Sequence, residues 1–231
     1  MMEKISIGDI TVYRFESEYL GTNMYVLFSD GKALIVDPHP DEEAARFLVQ
    51  KNIKQANVFL THEHPDHTCG VPWLKEKISI SVVCHRLCAE TISAEQNNCP
   101  YLITFVLAQK DKEQGTHLLE KFEKTVRPYS VQVDTTFDDM FSFEFGGVSF
   151  AFTPTPGHSK GSCCIKMNDA AVFTGDNLIW DTPVITRFPG GSLKDFNEKT
   201  KPYLDALPDD ILVFPGHGKS FVMKESREIA A

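Results

Sequence analysis

Several large protein classes are excluded by what this 231-residue chain lacks. No apolar run approaches the roughly 18–20 residues a membrane-spanning helix needs, so no membrane partner is expected. The opening Met1-Met2-Glu3-Lys4-Ile5-Ser6-Ile7-Gly8-Asp9 has polar residues where a secretory leader carries its apolar stretch. Positive charge is in deficit, with 23 Lys and Arg against 32 Asp and Glu and a net charge of −9. That balance is opposite to the one a phosphate backbone attracts, so no nucleic-acid partner is expected. The six cysteines (Cys69, Cys84, Cys88, Cys99, Cys163, Cys164) form no CxxC pair, and a chain of this length needs no disulfide staples. They read as reduced thiols of a cytoplasmic protein, with Cys84 and Cys88 as two small buried positions on one helix face. No GxSxG elbow or equivalent is present, so no serine nucleophile is expected.

The chain does have the composition of a globular protein, 42% hydrophobic and 24% charged. Short β-type runs occupy Ile10–Phe15, Met24–Phe28 and Ala33–Val36, the last two joined by the hairpin turn Ser29-Asp30-Gly31-Lys32. Asp41 caps a predicted amphipathic helix through about Lys51, followed by a strand at Asn57–Leu60. A strand at Ile80–Cys84 and a helix from Arg86 to Gln96 come next. Cys99-Pro100 breaks the chain before two helical patterns, Tyr101–Gln109 and Gly115–Thr125, separated by charged Lys110–Gln114. Residues 99–128 therefore read as a helical insertion or lid within a single domain spanning 1–231. Strands return at Phe141–Phe145, Val148–Phe152, Cys163–Met167 and Ala171–Thr174, then a helix from Leu193 to Leu207 and a strand at Ile211–Phe214. Sheets packed together and covered by helices fit this pattern.

The informative stretch is Thr61-His62-Glu63-His64-Pro65-Asp66-His67, which holds three of the chain's eight histidines directly after an apolar run. In extended chain, residues two apart point the same way, so His62 and His64 can grip one cation. Pro65 redirects the backbone, and Asp66 with His67 can face a second position. Imidazole with carboxylate suits zinc, iron or manganese. Further donors stand beside glycine at the ends of strand-like runs: His158 in Pro156-Gly157-His158, Asp176 in Thr174-Gly175-Asp176, and His217 in Pro215-Gly216-His217-Gly218. Loops at strand ends are where a rigid scaffold usually mounts its sites.

This ordered set, HxHxDH then PGH, TGD and PGHG, resembles the metallo-β-lactamase-fold hydrolases over most of the chain. The resemblance implies an α/β (α+β) fold, a four-layer αββα sandwich with metals at one edge. It implies two divalent ions, zinc foremost with iron or manganese as alternatives. His62, His64 and His158 would hold the first, Asp66, His67 and His217 the second, and Asp176 would bridge them. Asp37 would orient the first loop from behind the ligands, and Asp66 would act catalytically by orienting the nucleophile.

Two positions separate branches of that family. His64 suits a hydrolase, where flavin-linked diiron relatives usually carry glutamate, and Asp176 stands in a region where zinc β-lactamases usually place cysteine. The run Thr186-Arg187-Phe188-Pro189-Gly190-Gly191-Ser192 looks like a segment of glyoxalase II-type thioesterases. Hydrolysis of a thioester or related acyl ester is therefore the first expectation. A lactone or phosphoester hydrolase and a mononuclear-iron persulfide dioxygenase are the alternatives. The chain ends about a dozen residues after His217, so glyoxalase II's separate glutathione-binding domain is not expected. His39, Arg187, Tyr101 and Phe105 are the expected contacts to a small-molecule substrate.

Overall fold

The apolar runs assemble into two sheets whose inner faces meet. The computed structural model describes residues 2–98 and 101–230, with the side chains of 101, 102, 229 and 230 outside the description. The first sheet runs in chain order through β1 (Met2–Ile7), β2 (Ile10–Glu16), β3 (Asn23–Ser29), β4 (Lys32–Val36), β5 (Gln55–Phe59), β6 (Ser79–His85) and β7 (Thr135–Phe137). Strands β1 to β4 form an antiparallel meander, and β4 to β7 run parallel. The second sheet contains β8 (Phe141–Phe145), β9 (Val148–Pro154), β10 (Cys163–Met167), β11 (Ala171–Gly175), β12 (Leu212–Pro215) and β13 (Phe221–Val222). Its pairs are antiparallel except β11 with β12.

Helices α1 (Glu42–Gln50), α2 (Pro65–Thr68), α3 (Gly70–Lys75), α4 (Arg86–Ile92), α5 (Tyr101–Gln114) and α6 (Leu118–Thr125) are threaded between strands of the first sheet. Helix α7 (Leu193–Asp195) continues through the π-helical turn Phe196–Thr200 into α8 (Lys201–Asp205), and α9 (Met223–Ala230) ends the chain's described part.

Side-chain alternation sorts the apolar residues into three cores. Tyr25, Leu34, Val36 and Phe59 point inward against Phe150, Phe152, Phe173 and Phe214 of the second sheet. The Phe59 ring centroid lies 4.8 Å from that of Phe152 and 5.5 Å from that of Phe150. The intervening Val26, Ile35 and Val58 point outward, beneath Ala44, Leu48, Leu74, Leu107 and Phe122 of the helices. On the far side Val172 and Val213 pack under Leu204 and Leu207. Strand β4 is buried on both faces, which is why Ala33–Val36 is continuously apolar. The result is the four-layer αββα sandwich.

Several expected boundaries shift. The helix expected over Arg86–Gln96 stops at Ile92, because the Asn97 and Asn98 side-chain amides donate to the Thr91 and Ile92 carbonyls in place of backbone N–H groups. Helix α5 runs through Lys110–Gln114 instead of breaking there, since charged residues with long side chains are good helix formers. It ends where Gly115 takes φ +67°, and the Asp111 carboxylate accepts from Leu118 N–H and Leu119 N–H to start α6. Cys84 and Cys88 do not share a helix face: Cys84 is on β6 and Cys88 on α4, both fully buried. The break at Cys99-Pro100 lies outside the described residues. No described helix is long and apolar enough to cross a membrane.

Candidate metal centre

Every expected donor follows the carboxyl end of a strand. Asp37 follows β4 and the His62–His67 segment follows β5, where parallel strands end together. His158 follows β9, Asp176 follows β11 and His217 follows β12, all in the second sheet. Loops from both sheets thus meet along one rim of the sandwich.

The donors converge in two groups. His62 Nε2 lies 3.1 Å and His158 Nε2 2.9 Å from His64 Nδ1, so three imidazole nitrogens face one point. Asp66 Oδ2 lies 3.5 Å from His67 Nε2 and 3.3 Å from His217 Nε2, which makes the second group. Asp176 stands between them. Its Oδ1 is 3.4 Å from His67 Nε2, and its Oδ2 is 3.6 Å from both His158 Nε2 and His217 Nε2.

The surroundings fix which nitrogen of four of the rings faces the site. His67 Nδ1–H donates to Asp37 Oδ2 at 2.9 Å, and His158 Nδ1–H donates to the Ile185 carbonyl at 2.8 Å. His62 Nδ1–H donates to Thr61 Oγ1 at 3.0 Å, and that hydroxyl donates in turn to Asp37 Oδ2 at 2.5 Å. His217 Nδ1–H donates to the Leu20 carbonyl at 3.3 Å. Four rings are thereby held with Nε2 aimed into the site, the arrangement that metal-ligating histidines adopt. Asp37 also accepts from Thr61 N–H at 2.7 Å, and its backbone sits at φ +50°, a left-handed strain of about 1–3 kcal/mol.

A cation fits this donor set on two further observations. His67 Nε2 and Asp176 Oδ1 are buried with no hydrogen-bond partner, a cost that an ion between them removes. Gly216 closes the cradle: a Cβ there would lie 2.1 Å from Asp176 Oδ1 and 2.7 Å from His67 Cε1. Only glycine lets the β12 loop pass.

Protonation differs between the groups. Burial pulls His62 and His158 below the ordinary imidazole value, and burial with the nearby His158 pulls His64 down to about 4. The first trio is neutral, with its lone pairs available. Burial also pulls on His67 and His217, but Asp66 and Asp176 outweigh it and raise both above the ordinary value. Burial pushes Asp176 up, yet His67 and His217 hold it down at about 2. Asp66 is held low in the same way, chiefly by His67. Without a cation, the second group therefore keeps positive charge as protons.

The loops are locked together by residues whose roles the sequence did not disclose. Glu63, between His62 and His64, turns away from the centre into the protein, where it accepts from Ser159 Oγ at 2.7 Å and more weakly from Gly161 N–H at 3.4 Å. Ser162 Oγ lies 2.8 Å from Ser159 Oγ and accepts from Ser159 N–H at 3.1 Å. Both serines are buried and committed to holding the His158 loop. Thr22 Oγ1 donates to Asp66 Oδ2 at 3.0 Å. Phe188, 41% exposed, stands edge-on to His64 with ring centroids 5.6 Å apart. No periodicity marks Glu63, Thr22 or Phe188, because each acts on a residue remote in sequence.

The expected substrate contacts are scattered. His39 is enclosed, 1% exposed, with Nε2 3.1 Å from the Phe15 carbonyl; it lines a small cavity beside Asp66 and Ile103 and is not on an open face. Its burial departs from the contact role expected of it. Arg187 is exposed on the loop after β11 and makes no hydrogen bond or ion pair among the described residues. Phe105 is 72% exposed on α5, whereas its neighbours Ile103 and Leu107 are buried. The Tyr101 side chain lies outside the described residues.

Comparison with known proteins agrees with this geometry. The family model of the metallo-β-lactamase superfamily matches residues 18–217. A probable metallo-hydrolase of Streptococcus pyogenes is 26% identical over 217 residues, covering 90% of this chain and 84% of its own. Hydroxyacylglutathione hydrolase 1 of Vibrio vulnificus is 40% identical over 62 residues, 27% of this chain and 25% of its own. The crystal structure of the B3 metallo-β-lactamase BLEG-1 superposes with a TM-score of 0.67 at 25% identity, covering 99% of this chain and 97% of that one. From strand ends to donor order, the chain is a member of the metallo-β-lactamase superfamily.

Proposed function

We propose that the protein is a metal-dependent hydrolase holding two divalent ions, zinc foremost, and that it cleaves a thioester or related acyl ester. The observation that carries the two-ion reading is Asp176, whose two oxygens reach donors of both groups. When bound, such a pair supplies a water ionised near neutral pH and an electrophile for the carbonyl oxygen. The chain supplies the rest. Asp66, with Oδ2 fixed by Thr22 and His217, would orient the attacking water. Side-chain nucleophiles have no part, since Ser159 and Ser162 face Glu63 and one another.

Access is from the side of Asp66, Asp176 and His217, whose side chains are 18%, 14% and 24% exposed against 2% or less for His62, His67 and His158. Phe188 and Ile185 are exposed apolar residues on the loop that passes the first trio, and they suit an acyl group. Arg187 on that loop suits an anionic group of the thiol half. The short match to a hydroxyacylglutathione hydrolase supports the thioester choice. Opening of a lactone or lactam ring is a second reading, supported by the full-length likeness to a B3 metallo-β-lactamase.

The test is a panel of acyl thioesters, lactones, β-lactams and aryl phosphates, run with elemental analysis of protein purified without chelator. Close to two ions per chain and fastest turnover of thioesters are expected. One tightly held iron, with oxygen consumption on glutathione persulfide, would replace this reading by a dioxygenase.

A further inference from the structure

Apart from Asp37, which holds His67 directly and His62 through Thr61, the two donor groups are held by different parts of the chain. The first rests on Thr61 and Asp37 behind His62, the Ile185 carbonyl behind His158, and Phe188 beside His64. None of these supports comes from the β2–β3 loop or from helices α5 and α6.

The second group rests on the loop Ser17–Thr22, closed on itself by Ser17 N–H to the Thr22 carbonyl at 2.8 Å and Gly21 N–H to the Ser17 carbonyl at 2.9 Å. Thr22 is 1% exposed. Its hydroxyl donates to Asp66 Oδ2, the oxygen that faces both His67 and His217, and its backbone bridges to His217. The Leu20 carbonyl holds His217 Nδ1.

That loop is pinned in turn by the α5–α6 hairpin. Lys110 Nζ donates to the Tyr19 carbonyl at 2.9 Å, and the Tyr19 ring meets Phe122 edge-on with centroids 5.1 Å apart. Lys121 pairs with Glu18 at 2.5 Å, an exposed contact that adds little. The segment after the hairpin grips the same group from the other side. Tyr129 Oη lies 2.7 Å from Thr68 Oγ1 and donates to the Pro65 carbonyl at 3.4 Å, on the short helix that carries Asp66 and His67.

We propose that the α5–α6 hairpin, acting through the Ser17–Thr22 loop and the Thr22 hydroxyl, sets the affinity of the second cation position without altering the first. Thr22 is a positioning residue for Asp66, and the insertion is a clamp on half of the site. The inference rests on the two-position reading above, and its test needs no substrate.

Zinc is titrated into the metal-free full chain against a chromophoric chelator, for wild type, Thr22→Val, Thr22→Ser and Lys110→Met. Wild type should take two ions in separable steps. Thr22→Val keeps the shape but removes the donor; it should leave the first step within about twofold and weaken the second by roughly 10- to 100-fold, the usual effect of losing a ligand's hydrogen-bond partner. Thr22→Ser should restore the second step, and Lys110→Met should weaken it alone, by less. Far-UV circular dichroism of each metal-free variant shows that the fold is kept. Equal weakening of both steps in Thr22→Val, or no change in either, would overturn the proposal. A wild-type stoichiometry of one would overturn the two-position reading and this inference with it.

Discussion

The Ser159 hydroxyl donates to Glu63 Oε2 over 2.7 Å, a bond between the His62–His67 loop and the His158 loop that spans 96 positions of sequence. It fixes His158 relative to His62 and His64 from behind. Burial pushes the Glu63 carboxyl above its ordinary value, even with Ser159 and Gly161 donating to the ionised form.

That shift has a sign. A carboxyl whose folded value is raised adds stability in full below its unfolded value of about 4.5 and loses it as pH rises through the folded value. In the presence of chelator, the stability advantage of wild type over Glu63→Gln should therefore shrink as pH rises above about 4.5. Urea unfolding of both proteins at intervals from pH 4 to 8 measures it. A difference that stayed flat, or grew with pH, would contradict a buried and reluctantly ionised Glu63.

Asp66→Ala should abolish turnover, to less than about a thousandth of wild type, while circular dichroism shows the fold largely intact. The carboxylate stands in the second donor group and, in the proposed mechanism, orients the water. Near-normal rates in that variant would mean that Asp66 has neither role. Conversion of Asp37 to Asn should act more mildly, lowering metal affinity about 10- to 100-fold, because the amide presents N–H to one of the groups that Asp37 now accepts from.

Phe188→Ala should raise KM for thioesters with long apolar acyl groups about tenfold, in line with roughly 1.5 kcal/mol for a partly covered aromatic side chain. The same variant should leave kcat and the KM for an acetyl thioester within about twofold, because the exposed ring touches His64 only by its edge. Steady-state kinetics across acyl lengths decides the matter.

Metal uptake should release protons near neutral pH. In the metal-free protein Asp66 and Asp176 keep His67 and His217 protonated above the ordinary imidazole range, and an entering cation must displace those protons. Apparent zinc affinity therefore falls as pH falls. Calorimetric titrations in buffers of different ionisation enthalpy count the protons released, and a count near zero at pH 7 would contradict the raised values.

Much of the site was legible because its chemistry is concentrated. Three histidines in one short loop, and three glycine-flanked donors at strand ends, need no contact map to be noticed, and the structure brings all seven donors to one rim. Thr22, Glu63 and Phe188 were not legible, since a threonine before a strand, a glutamate among ligands and a phenylalanine in a loop are ordinary in isolation. Their roles come from partners 44, 96 and 124 positions away: Asp66, Ser159 and His64. In the fold, continuous apolar runs revealed the central strands. Strand β1, with mostly half-buried and exposed residues, and the three-residue β7 carried too little pattern. Charged Lys110–Gln114 looks like a break in the sequence, yet these residues propagate helix α5.

The donors are divided between the two sheets: Asp66, His67, His62 and His64 hang from the first, and His158, Asp176 and His217 from the second. A polypeptide that has folded only one sheet owns no complete cage, so a divalent ion rewards only the finished assembly. Heat resistance should then climb with free zinc concentration, and chelation should loosen the seam between the sheets before it melts either one.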